Sequence, residues 1–89
     1  MPQYQRSQYA TERVDYSVDW EALLGTETIS TSSWAVTPTA AGNTGSATIT
    51  DDVTSTILIG INASCTLTNT IETSGSRILV HKFRVEYLG

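Results

Sequence analysis

The chain has 89 residues, a formal net charge of −4, one cysteine, one histidine and five Lys and Arg. That length fits one domain; the lone cysteine excludes an intrachain disulfide; and the acidic balance speaks against nucleic acid as the main ligand, because phosphate binding needs a basic surface. A domain of this size buries about two-thirds of its unfolded surface, so the two tryptophans, the single phenylalanine and a set of Ile, Leu and Val must supply most of the core.

Residues 1 to 12 are polar and show no clear period. They read as a flexible arm with no core of its own, preceding a domain at 13–89. Two readings stand side by side: a frayed terminus, or an arm that anchors on a neighbouring subunit. In the second reading Tyr4, Arg6 and Tyr9 are the candidate partner-binding residues, Tyr offering much contact area at low entropy cost. The opening has no apolar segment, so the expectation is synthesis without export. The longest apolar run, "ILIGI" at 57–61, falls far short of the roughly twenty residues that span a bilayer, and no membrane partner is expected. Asn62-Ala63-Ser64 matches a glycosylation sequon, read as coincidence in a chain without a secretory route.

From Arg13 the pattern changes. Val14, Tyr16, Val18 and Trp20 recur at every second position, the period of a half-buried strand. "DWEALLG" reads as a short helical turn, capped by Asp19, with Glu21 in its first turn and Gly25 closing it. "ETISTSSWAV" is a second strand with Trp34 and Val36 on one face, and "TPTAAGNTG" is a loop. "SATIT" is a short strand with Ala47 and Ile49 on one side. Asp51-Asp52 marks a turn. "TSTILIGI" then sets Ile57, Ile59 and Ile61 on one face, and Thr56 and Leu58 on the other.

The last third is the most regular. "SCTLTNTI" places Cys65, Leu67, Asn69 and Ile71 on one face with threonines opposite. "ETSGSR" supplies a turn, in which Gly75 is expected to take the positive φ of a short loop. "ILVHKFRVEYL" returns with His81, Phe83, Val85 and Tyr87 in register, while Lys82, Arg84 and Glu86 face water. The two runs predict a hairpin. Stiff, β-branched threonine suits the solvent faces of such strands. Arg77, Lys82 and Arg84 read as ordinary strand surface. The whole predicts an all-β protein: an immunoglobulin-like β-sandwich of about six to seven short antiparallel strands, with a small closed barrel as the alternative.

The candidate chemistry is thin. Asp15 and Asp19 lie four residues apart on an extended strand, about 13 Å at roughly 3.3 Å per residue. Paired glycosidase carboxylates sit about 5 to 9.5 Å apart, so the spacing argues for structure. Asp51-Asp52 has no third ligand at calcium-loop spacing. Cys65 behaves as a small buried hydrophobe, and a thiol nucleophile would need His81 as its base. His81 reads as a satisfied histidine at the core edge. Asn69 sits on an apolar face, where its amide must be hydrogen-bonded, as in the clamping of a loop. No phosphate-binding glycine loop, Cys/His cluster or nucleophile elbow is present. Neither catalysis, cofactor nor metal is expected.

The chain resembles a family of small tail-associated phage proteins, the fibre–tail adaptors. The resemblance rests on "VDYSVDWEALLGTETISTSSWAV" and "CTLTNTIETSGSRILVHKFRVEYL": the Asp-Tyr and Asp-Trp pairs, Leu before Gly25, Glu27 and Ile29 ahead of Trp34, the Thr-Asn-Thr-Ile strand, the Thr-Ser-Gly turn and the closing strand with Phe83. It spans about residues 13–88 and leaves the arm outside. It implies a virion protein of a tailed bacteriophage, made in the host cytoplasm, that joins a tail fibre or spike to the tail by protein–protein docking. Its partners would be other virion proteins, met in multiple copies within a symmetric assembly. The competing functions are a capsid decoration or cement protein and, from a different class, a carbohydrate-binding module. The last would need exposed aromatics, whereas Tyr16 and Trp20 fall on the face expected to be buried.

Overall fold

The alternation of Val14, Tyr16, Val18 and Trp20 is a real strand face: Tyr16, Val18 and Trp20 are buried and the intervening residues exposed. The protein is described by a computed structural model covering residues 3–89, with side chains from Ser7 onward. Its strands are β1 (Gln3–Gln8), β2 (Val14–Asp19), β3 (Ile29–Thr37), β4 (Asn43–Thr50), β5 (Val53–Ile59), β6 (Cys65–Thr73) and β7 (Ile78–Tyr87). A one-turn helix α1 (Glu21–Leu24) follows β2, and a 3-10 turn (Thr39–Ala41) precedes β4.

The strands form two sheets, ordered β1-β7-β6-β3 and β2-β5-β4. Lettered A to G in chain order, they read as a C-F-G sheet facing a B-E-D sheet, the arrangement of immunoglobulin-like sandwiches, with the first strand added beside G. The core lies between the sheets and joins Tyr16, Trp20, Leu58, Leu67, Ile71 and Val85. Tyr16 meets the edge of Phe83 at 5.2 Å between ring centroids, a favoured aromatic geometry. Trp20, not Asp19, takes the N-cap position of α1, while Asp19 Oδ1 just before it accepts from Glu21 N at 3.0 Å, and Gly25 (φ 61) ends α1 in a conformation open to glycine.

Four features of the fold correct or go beyond the expectations. First, residues 3–8 are not a free arm but strand β1, paired with β7 from Gln3↔Lys82 to Gln8↔Tyr87. That pairing is parallel, so the sandwich is not wholly antiparallel. The physical reason lies in Gln8, which is fully buried. Its Nε2 donates to Leu58 O across the sandwich at 2.9 Å, and its Oε1 accepts from Tyr16 Oη at 3.0 Å. A buried amide held this way bolts β1 to β2 and β5.

Second, β5 presents Thr54, Thr56 and Leu58 to the core, leaving Ile57 and Ile59 half-buried on the other face. The threonines tolerate this because their hydroxyls are partnered: Thr56 Oγ1 donates to Ser46 O at 3.2 Å, and Thr54 Oγ1 donates to Asn69 Oδ1 at 2.5 Å. Ile61, beyond the strand end, returns to the core.

Third, Ser76 takes the positive φ (62°) in the β6–β7 hairpin, not Gly75. At Gly75 a Cβ would meet Glu27 Oε2 at 2.5 Å, so a larger residue there would displace the Glu27 carboxylate. Fourth, the segment expected as a loop up to Gly45 already belongs to β4 from Asn43, with a register shift between Thr44 and Ala47.

Candidate docking surface

Asn69 is the centre of the interior and decides which residues are left for the surface. Its Oδ1 accepts from Thr54 Oγ1 and, at 3.3 Å, from Trp20 Nε1, which also donates to Thr54 Oγ1 at 2.9 Å. Its Nδ2 donates to Ser32 Oγ and Ser33 O, both at 2.9 Å. The amide thus ties β6 to its neighbour β3 and, across the core, to β2 and β5; it clamps strands where a loop was expected. The Asn69 amide accepts two hydrogen bonds and donates two, and a satisfied buried polar group of this kind stabilises a unique packing.

The residues with reactive side chains are held apart or shielded. Cys65 is buried, and burial pushes its thiol pKa up, away from the thiolate. His81 stands opposite Asn69 in the ladder, and Cys65 stands opposite Val85, so about four residues, roughly 13 Å of strand, separate thiol from imidazole. They form no dyad. His81 packs against Phe83 and Trp20, at 4.9 and 6.2 Å between ring centroids, and burial lowers its pKa. Asp15 and Asp19 are exposed at separate positions of β2, and Asp51-Asp52 forms the β4–β5 turn, with Asp51 at φ 53. Among the described residues no group of three His, Cys, Asp or Glu is placed to hold a metal ion. Among them, too, no helix is long and apolar enough to cross a membrane.

Of the three arm residues, Tyr4 and Arg6 lie on β1 opposite Phe83 and Val85, and their side chains fall outside the described residues. Tyr9 is 53% exposed, just beyond β1. It sits in a tight turn: Tyr9 N donates to Glu12 Oε1 at 2.7 Å and Glu12 N donates to Tyr9 O at 3.1 Å. The parallel β1–β7 pairing carries two further side chains to that end. Leu88 N donates to Gln8 O at 3.0 Å and Ala10 N to Gly89 O at 3.3 Å. Tyr87, 36% exposed, and Leu88, 46% exposed, therefore join Tyr9 at one tip of the sandwich. Sequence reasoning missed this pair: Tyr87 continues the inward register of Phe83 and Val85, yet β7 has run past the core by then. No local signal marks that end point, since it depends on how far the opposing sheet extends.

The tip suits contact, not chemistry: two tyrosines and a leucine give apolar area with hydroxyl handles, the composition of protein-binding surfaces. The opposite end carries a charged fastening. Arg77 Nε donates to Glu27 Oε1 at 3.0 Å and Arg77 Nη2 to Leu23 O at 2.8 Å. Hydrogen bonds from the Thr73 hydroxyl and then from Arg77 hold the Glu27 carboxyl below the usual range.

No curated protein matches the chain. The family described as Gp77, podophage GP4 fiber-tail adaptor protein gp77, matches residues 8–86. The match takes in the sandwich from the buried Gln8 to Glu86, one residue short of the end of β7, and so begins inside the segment that the sequence reading had set outside it. On that coverage, the chain belongs to the podophage fibre–tail adaptor family.

Proposed function

We propose that this protein is a non-catalytic docking subunit of the virion tail, present in several copies, that links a tail fibre or spike to the tail. The observation that carries the reading is the family match across 8–86. The geometry supports it: the interior is locked by a satisfied polar network around Asn69, which favours a rigid adaptor over a mobile one. Tyr9, with Tyr87 and Leu88, is the contact surface for a virion partner, and Tyr4 and Arg6 lie on the adjoining strand. Repeated in a closed symmetric assembly, such modest surfaces add through effective concentration. A carbohydrate platform built on Tyr16 and Trp20 finds no support, since both are buried.

A cryo-electron reconstruction of the particle tests the proposal. Density for the sandwich at the tail, between tail and fibre, is the expected result. Density spread over the capsid lattice assigns a cement role instead, and absence of the chain from the particle overturns the docking reading altogether.

A further inference from the structure

The two outer faces of the sandwich carry different charge. In the smaller sheet, β2, β4 and β5 contain no Lys or Arg, and their charged residues are Asp15 and Asp19, both exposed on the outer face. Asp51 and Asp52 continue that negative charge into the β4–β5 turn. On the larger sheet, the outer row of β7 carries Lys82 and Arg84, both exposed, and these are the cations among the described strand side chains. Glu72 and Glu86 stand toward the two ends of that face, so the cations hold its middle.

A second observation falls on the same two faces. The solvated face of an antiparallel sheet is ordinarily polar, yet β5, the central strand of the smaller sheet, turns Val53, Ile57 and Ile59 outward, only half-buried. Gly45 lies beside Ile57, where a Cβ would make an ordinary contact at 3.6 Å, and adds no side chain to cover it. The polar groups between Val53 and Ile57 are spent on each other: Ser17 Oγ and Ser55 Oγ share a hydrogen bond of 2.8 Å. On the larger sheet, Ile78 (67% exposed) and half-buried Val80 precede Lys82 and Arg84 in the same outward row.

We infer that the outer face of the smaller sheet in one copy docks on the outer face of the larger sheet in the next copy. Asp15 and Asp19 meet Lys82 and Arg84, and the Ile57 row covers the Val80 row. Charge selects the occupant. Two smaller-sheet faces brought together would oppose carboxylate to carboxylate, whereas the chain's own β7 face offers cations and apolar area at once. The two faces lie on opposite sides of one sandwich, so the contact is head-to-tail and each copy can meet two neighbours. This inference deepens the proposed function and rests on its several copies in one assembly. Its test needs only the isolated chain, so its failure leaves the virion location of the protein to be decided separately.

The test is sedimentation equilibrium of the full chain over a concentration series, at low and high salt, for the wild type, Asp15→Lys and Lys82→Glu. The expected result is reversible self-association that salt weakens. Either variant alone weakens it about tenfold or more, with the fold intact by circular dichroism. Mixing the two variants is the decisive step. Asp15→Lys keeps a good β7 face and Lys82→Glu keeps a good β2 face, so the mixture forms one-to-one complexes that grow no further. A monomer at all concentrations, association indifferent to both charge reversals, or a mixture as weak as either variant alone overturns the inference.

Discussion

The two flanks of this sandwich solve the same edge problem in opposite ways. On the β1/β2 flank, Gln8 reaches across the interior to Leu58 O and Tyr16 Oη, and carboxylates line the β2 edge at Asp15 and Asp19. On the β3/β4 flank no charge is present, β4 is exposed along most of its length with Ile49 at 45%, and Trp34 and Val36 stay half-open. The closed flank is sealed by a buried amide; the open flank keeps partly exposed side chains. The difference teaches that a buried hydrogen-bonded amide can seal a sandwich as well as an apolar plug, provided every donor and acceptor is met.

The same substitution at the two tryptophans separates the flanks most strongly. Trp20→Ala removes a fully buried ring and strands Thr54 and Asn69; a loss of about 3–5 kcal/mol is expected in chemical denaturation. Trp34→Ala, on the open flank, should cost about half as much, since its ring is only partly buried and its N–H has no partner to lose. Equal losses would break the comparison.

Gln8→Ala should cost about 2–3 kcal/mol, because the buried hydrogen bonds of Gln8 with Leu58 O and Tyr16 Oη are lost. Hydrogen exchange at β1 amides should rise in that variant well above exchange at β6. Ser33→Lys on the opposite flank should stay within about 0.5 kcal/mol for the monomer.

Between the flanks, His81 gives a pH signature. Burial lowers its folded pKa below the usual 6.5, so the unfolded chain takes up the proton first. Stability therefore falls as pH drops below the unfolded value and levels off once the folded pKa is passed. Thermal scans from pH 8 to 5 should show that decline in the wild type and a flatter profile in His81→Phe.

The smallest effect belongs to the fastening beside the start of β3. Glu27 has a lowered pKa, so its contribution is present above the unfolded value and is lost as pH falls through the folded one. The thermal midpoints of wild type and Glu27→Gln should differ slightly at pH 7 and converge at pH 3. A gap that survives at pH 3 would assign Glu27 a role in packing instead of charge.

Where neighbours in the chain are neighbours in the fold, the fold was legible. β2, β6 and β7 announce themselves by strict alternation, and α1 by Asp19 and Gly25, because period and capping are local properties. Which face of β5 enters the core was not legible: Ile57 and Ile59 outweigh Thr54 and Thr56 in hydrophobicity, and only the hydroxyl partners, supplied by Asn69 and Ser46, turn the threonines inward. The docking tip was legible in part. Tyr9 stood out as an aromatic in a polar segment, whereas Tyr87 and Leu88 reach it through a parallel pairing of residues nearly eighty positions apart.

The sequence by itself determined the class of the molecule: threonine-rich alternation punctuated by turn residues specifies a small β-sandwich. Only the tertiary structure decided that Gln8 closes one flank, that Asn69 links the sheets and that β3 is left with an open edge. Those outcomes depend on which backbone groups and hydroxyls meet across the core, and hydrogen-bond partners set by strand order are not encoded in the period of any one strand.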